Sequence, residues 1–129
     1  MSRRRSEQVV FVVRGDQAAV RTILEDFFVG RGWTARVRAD GRLEYERGSR
    51  RRTILLGALA GRRFFLTAQI EIREGARTTD IRYRWGADVG AALGGTLGRD
   101  RAAREHEQTA AALEKQLADA GRLVQVRRT

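Results

Sequence analysis

The spacing of hydrophobic residues changes twice along this 129-residue chain, and that change constrains the fold more than any other feature. Between Val20 and Phe27, apolar residues recur every three to four positions, which is typical of an amphipathic helix. From Trp33 to Trp85, apolar and polar residues alternate, which is typical of strands with one buried face. The helical spacing returns over residues 100–120. The pattern therefore predicts a helix, a run of strands and a second helix.

Turn and cap residues set the bounds of the first elements. Val9–Arg14 is a continuous, β-branched apolar run and indicates a buried strand. Gly15 interrupts this strand, and Asp16 occupies the position of a helix N-cap. Gly32 follows as a C-terminal stop signal. We expect a strand followed by a helix near residues 16–31.

The alternating region divides into several antiparallel strands. Asp40-Gly41 is the strongest hairpin signal in the chain and joins its first two strands. Thr53–Leu56 indicates a third strand, and Phe64–Arg73 a long fourth one that turns back into Thr79–Trp85. After the second helix, residues 124–126 are compatible with a short strand or with a frayed end.

These elements predict an α+β fold in one domain, residues 1–129. We expect a single antiparallel sheet of about five to six strands in the order β-α-β-β-β-β-β-α, with both helices on one face. The basic segments 1–8 and 122–129 are expected to be partly flexible termini.

The element order resembles that of START-like helix-grip proteins, in which a curved sheet clasps the last helix over a ligand cavity. The resemblance covers nearly the whole chain and rests on order alone, without a matching motif. It implies a cavity between the sheet and the second helix. Helix-grip proteins usually place two short helices after the first strand, whereas this chain has one. The TATA-binding half-domain, with a single first helix, is the competing template.

Composition excludes several classes of function. The chain has no cysteine and one histidine, which excludes disulfide scaffolds, cysteine-ligated metals, thiol nucleophiles and multi-histidine metal centres. The longest uncharged stretches are far shorter than the ~20 residues of a membrane-spanning helix. We expect a cytoplasmic protein without a cofactor.

Large aromatic residues of the alternating strands share the inward face, opposite small residues of the second helix. The candidate ligand-binding residues are Trp33, Tyr45, Tyr83, Trp85, His106 and Ala110. One interpretation is a plain core in which large and small side chains interdigitate. The other is a pocket for an apolar ligand, with hydroxyl and indole N–H groups as its polar contacts.

His106 lies within the apolar stripe of the second helix. It is interpreted either as a core residue with a satisfied hydrogen bond or as the polar group of a pocket, partnered by Tyr45 or Tyr83. No nucleophile accompanies it, and no carboxylate at helical spacing shares its stripe. The sequence therefore contains no candidate catalytic residue, and we do not expect an enzyme.

The formal net charge of +10 favours polyanions or acidic ligands as partners. The longest acid-free stretch runs from Arg47 to Ile70. Its candidate anion-binding residues are Arg50, Arg51, Arg52, Arg62 and Arg63. They form either a phosphate-binding rim or a solvated edge that prevents sheets from associating.

The outward face of the sheet carries both signs of charge. Glu44, Glu46, Glu71 and Asp80 alternate there with arginines, which predicts cross-strand ion pairs. Because these acids would repel phosphates, we do not expect this face to bind DNA.

Three functions remain. The leading one is a binding module that holds an apolar or amphipathic small molecule between sheet and second helix, with arginines engaging an acidic head group. The second is an accessory protein that binds nucleic acid or anionic lipid through its arginines. The third is a structural protein that self-associates, for example as a homodimer.

Overall fold

Six strands and two helices make up the part of the chain that this computed structural model describes, residues 8–37, 42–48, 66–85 and 95–128, with backbone alone for residues 95–99. In chain order the elements are β1 (Gln8–Arg14), α1 (Gln17–Gly30), β2 (Thr34–Val37), β3 (Leu43–Arg47), β4 (Leu66–Glu74), β5 (Thr78–Arg84), α2 (Gly95–Asp119) and β6 (Leu123–Arg128).

The six strands form one open sheet in the order β2-β3-β4-β5-β1-β6, and every neighbouring pair is antiparallel. This arrangement confirms the predicted α+β fold with a single antiparallel sheet. The expected strand at Thr53–Leu56 and the expected turn at Asp40-Gly41 lie outside the described residues.

Helix α1 begins where the sequence predicts. The Asp16 carboxylate accepts a hydrogen bond of 2.8 Å from the Ala19 backbone N–H, which satisfies one of the unpaired donors at the helix N-terminus. Gly15 precedes this cap with a φ of +127°, a conformation that favours glycine. At the other end, Gly32 has a φ of +87° and turns the chain into β2.

Helix α2 is longer than predicted, since it begins at Gly95 rather than near Asp100. The sequence shows two glycines in this first stretch, and each costs about 1 kcal/mol of helix propensity relative to alanine. Propensity is a weak constraint that the rest of a 25-residue helix overrides. The helix is followed by Gly121, whose φ of +70° ends it as expected.

Both helices cover the same face of the sheet. Phe28 of α1 stacks on Tyr45 of β3 and contacts Tyr83 of β5 at 6.0 Å between ring centroids. His106 of α2 contacts the same Tyr83 ring at 5.7 Å. Since one tyrosine side chain contacts both helices, the predicted one-sided arrangement is confirmed.

The two edge strands differ from the sequence-based expectations. Residues 123–128 form β6 and pair with β1, so the chain ends in a strand after α2, which the predicted order omitted. Leu123 and Val126 pack against the core and hold this strand in place. At the opposite edge, the apolar positions Ala35 and Val37 of β2 are exposed rather than buried, because an edge strand has a neighbour on one side alone.

Candidate functional site

Aromatic side chains from three places in the sheet meet around a buried histidine. Trp33 precedes β2, and Tyr45 lies on β3. Tyr83 lies on β5, with Trp85 directly after it. Together with His106 of α2 they are all buried, and the structure therefore brings these candidate residues together.

His106 is enclosed by rings. A hydrogen bond of 2.7 Å joins its Nδ1 to the Tyr83 hydroxyl, and the tautomer of the imidazole decides which of the two donates. The Trp85 ring stacks on the imidazole at 5.4 Å with an angle of 9° between the planes. Trp33 lies at 6.0 Å. Of the two partners considered for His106, the hydrogen bond is to Tyr83.

Ala110 lies one helical turn after His106 and has no exposed surface. Leu113 and Leu117 continue the same buried stripe of α2. Ala110 therefore belongs to the interior that supports the ring cluster. Whether Ala110 contacts a ligand stays a prediction.

Phe28 joins the cluster from α1. Its ring stacks on Tyr45 at 4.3 Å and meets Trp33 edge-on at 5.4 Å. The helical spacing from Val20 to Phe27 assigns Phe27 to the apolar stripe of α1, and Phe27 is buried, but its neighbour Phe28 is the residue at the centre of the ring contacts. Phe27 packs beside it and carries the Arg31 guanidinium 5.4 Å above its ring.

Tyr45 is buried against Phe28, and its environment favours the neutral phenol. Burial raises the pKa of the Tyr45 hydroxyl, and the nearby Glu25 carboxylate raises it further while Arg21 opposes the shift. The hydroxyl therefore stays protonated, and can donate a hydrogen bond, at neutral pH.

Arg47 completes the cluster; the sequence placed it in the acid-free basic stretch and gave no expectation that it contacts the aromatic residues. Its guanidinium carbon lies 5.4 Å from the centroid of the Trp33 ring. Its Nη2 donates a hydrogen bond of 3.0 Å to Oε2 of Glu105 on α2. The signal was present in the alternation, because Leu43, Tyr45 and Arg47 occupy every second position of β3 and share its inward face.

Two N–H groups of this cluster lack a hydrogen-bond acceptor. Trp33 Nε1 and Arg47 Nε are buried, and neither has an acceptor among the residues that the structure describes. Leaving such a donor unsatisfied costs about 1–3 kcal/mol. The two side chains are in contact, and each carries a buried donor that a hydrogen-bond acceptor would stabilise.

The predicted anion-binding arginines, Arg50, Arg51, Arg52, Arg62 and Arg63, lie outside the described residues. Strand β3 ends at Arg47, and β4 begins at Leu66. Arg47 and Leu66 are paired in register. These arginines therefore lie in sequence between two residues at the end of the sheet where the ring cluster is found.

The outer face of the sheet carries ion pairs, and those of Arg36 with Glu46 and of Arg82 with Glu71 join neighbouring strands as predicted. Glu71 lies 3.1 Å from Arg73 and 3.8 Å from Arg82, and Asp80 lies 3.9 Å from Arg127. These residues surround a shallow depression of about 220 Å³, which is lined by Gln8, Val10, Glu71, Arg73, Asp80, Arg82 and Arg127. The depression has three guanidinium groups, but they lie close to carboxylates that offset much of their positive charge. Its attraction for an anion is therefore weaker than three unpaired arginines would give.

Two further features concern metals and membranes. Over residues 8–37, 42–48, 66–85 and 95–128, no group of three or more histidine, aspartate or glutamate side chains is placed to hold a metal ion. Neither helix of the described chain has the length and apolar character needed to cross a membrane.

No family model, curated protein or solved structure matches the chain. The likeness to helix-grip proteins and to the TATA-binding half-domain therefore stays one of element order.

Proposed function

We propose that this protein is a non-enzymatic binding module that holds a small apolar or amphipathic molecule between the sheet and α2. The binding place is the end of the sheet where Trp33, Arg47, Trp85 and His106 meet. One observation carries the proposal: two side chains in contact, Trp33 and Arg47, each bury an N–H donor without an acceptor in the described part of the chain.

The physical chemistry of this place favours a ligand with an apolar body and a polar atom. The buried rings of Trp33 and Trp85 make the surroundings apolar, which suits the apolar body of a ligand. An oxygen atom of the ligand would satisfy the unpaired donors and recover part of their desolvation penalty. A few polar groups within an apolar lining are typical of small-molecule sites.

An enzymatic role has less support. General base catalysis needs a nucleophile or substrate proton within reach of the base and a group that orients it. The carboxylate next to His106 in sequence, Glu105, forms an ion pair with Arg47. Tyr83 holds Nδ1 of His106 inside the core, where both side chains have no exposed surface.

If the ligand is amphipathic, we propose that the arginines between β3 and β4 in sequence bind its acidic head group. Arg50, Arg51, Arg52, Arg62 and Arg63 are proposed to supply its cationic partners at the mouth of the site, because guanidinium groups bind carboxylates and phosphates with two hydrogen bonds. The ligand body would then lie inward, against the rings.

Native mass spectrometry of the freshly purified protein tests this proposal. We expect a mass above that of the 129-residue chain, and the excess should disappear on denaturation. A second measurement is titration with an apolar fluorescent probe, which should quench tryptophan emission because both tryptophans belong to the cluster. If the folded protein carries no small molecule and binds no apolar probe, the binding function is wrong.

A further inference from the structure

The charge and the hydrogen-bond character of the Trp33–Arg47 contact restrict the chemical class of the molecule that the proposed site accepts. Arg47 is already paired, since its Nη2 donates to Glu105 at 3.0 Å and leaves Nε unused. The side chains of Arg47 and Glu105 are 22% and 29% exposed, so each is largely removed from water. Together they carry one positive and one negative charge.

A second anion at this contact would be unfavourable. A carboxylate bound to Arg47 would compete with Glu105 for the same guanidinium group, and two buried carboxylates would share one cation. An uncharged oxygen avoids this cost, because it accepts a hydrogen bond without adding charge to the pair. The existing ion pair therefore favours a neutral acceptor.

The unpaired atoms are hydrogen-bond donors, and this restricts the chemical class of the ligand further. In the described part of the chain, the buried side-chain atoms without a partner are both N–H donors, and no acceptor is among them. A ligand amine or hydroxyl would bring a donor that needs an acceptor of its own, whereas a carbonyl oxygen brings two lone pairs and no proton. A carbonyl oxygen therefore fits the site, because it is uncharged and it only accepts hydrogen bonds.

Resting on the binding function proposed above, we infer that the ligand presents an uncharged carbonyl oxygen to Trp33 Nε1–H and Arg47 Nε–H. The chemical class is an aromatic or otherwise apolar ketone, aldehyde or ester.

Three probes of similar size and different chemistry test the inference on the full chain: 2-acetylnaphthalene, 2-ethylnaphthalene and 2-naphthoate. Their dissociation constants are measured by equilibrium dialysis for the unaltered protein and for Trp33→Phe, which keeps an aromatic ring and removes the N–H. We expect Trp33→Phe to weaken the ketone by about five- to tenfold, the loss of one hydrogen bond. The hydrocarbon should change by less than about twofold, which controls for the smaller ring.

Arg47→Lys is the second variant, because lysine keeps the charge facing Glu105 and lacks the Nε–H group. Like Trp33→Phe, it should weaken the binding of the ketone and leave the binding of the hydrocarbon nearly unchanged. If the ketone is unaffected by both variants, or if they weaken 2-naphthoate as much as the ketone, the carbonyl inference is wrong while the binding function stands. If none of the three probes binds the unaltered protein, the binding function itself is wrong.

Discussion

Tyr83 of β5 and His106 of α2 connect the sheet to the long helix through a hydrogen bond of 2.7 Å between two side chains that have no exposed surface. The same histidine stacks on Trp85, which follows β5 directly. A buried hydrogen bond of this kind fixes the relative position of the two elements, because only a few placements of a buried histidine give its ring nitrogens a hydrogen-bond partner. It therefore orients α2 relative to the strands that carry the candidate site.

Replacing Tyr83 with phenylalanine removes this hydrogen bond and keeps the ring. We expect the free energy of unfolding to fall by about 1–3 kcal/mol, because a buried polar atom loses a partner. Tyr45→Phe is the matched control, since Tyr45 is equally buried and the described residues show no hydrogen bond from its hydroxyl. The control should lose less than Tyr83→Phe, since it breaks no hydrogen bond to a described residue. Urea unfolding measures both values, and equal losses would contradict the assigned role of Tyr83.

Stability should decrease at alkaline pH partly through Tyr45. Burial raises the pKa of its hydroxyl in the folded state, so the folded chain holds this proton above about pH 10, where the unfolded chain releases it. The free energy of unfolding is then expected to fall as the pH rises from about 10 through the folded pKa. Tyr45→Phe should fall less steeply than the unaltered protein between about pH 9 and about pH 11. Parallel curves would show that Tyr45 does not contribute.

The Arg47–Glu105 ion pair should contribute measurably to stability. A double-mutant cycle with Arg47→Gln and Glu105→Gln is expected to give a coupling of about 1 kcal/mol, the upper end for ion pairs near a surface, because both side chains are partly buried. Lys115 and Asp119 form the control pair at 2.9 Å, with side chains that are mostly exposed. That cycle should give a smaller coupling, since water screens the charges. A reversed ranking would contradict the burial argument.

Gly15 and Gly30 should respond to alanine in opposite directions. Gly15 has a φ of +127°, a backbone conformation that residues with a side chain rarely adopt, so Gly15→Ala should destabilise the protein by about 1–3 kcal/mol. Gly30 is the last residue of α1, and a Cβ there would have no neighbour within 4 Å. Gly30→Ala should be neutral or stabilise by about 0.5 kcal/mol. Thermal unfolding of the two variants tests this, and a stable Gly15→Ala protein would show that the backbone at Gly15 is not strained by a side chain.

Part of the candidate site was predictable from the sequence. Alternation assigned Tyr45 and Tyr83 to the inward face, and helical spacing assigned His106 to the inward stripe of α2, where the structure has them. The helical spacing of α1 does not show whether Phe27 or Phe28 lies closer to the sheet, because the two residues are adjacent and both lie near the apolar stripe. Their ranking depends on the tilt of the helix on the sheet, which no local pattern contains.

Some elements have local signals that can be recognised in the sequence without the structure: the cap at Asp16, the helical spacing that follows it, and the alternation of the strands. These features result from backbone sterics and from the side-chain period of each element, so a short window of residues is sufficient. The pairing of β6 with β1, the contact of Arg47 with Trp33 and Glu105, and the Tyr83–His106 hydrogen bond join residues far apart in the chain. Tertiary structure alone decided them, because each depends on which surfaces the packed elements bring within a few ångströms of each other.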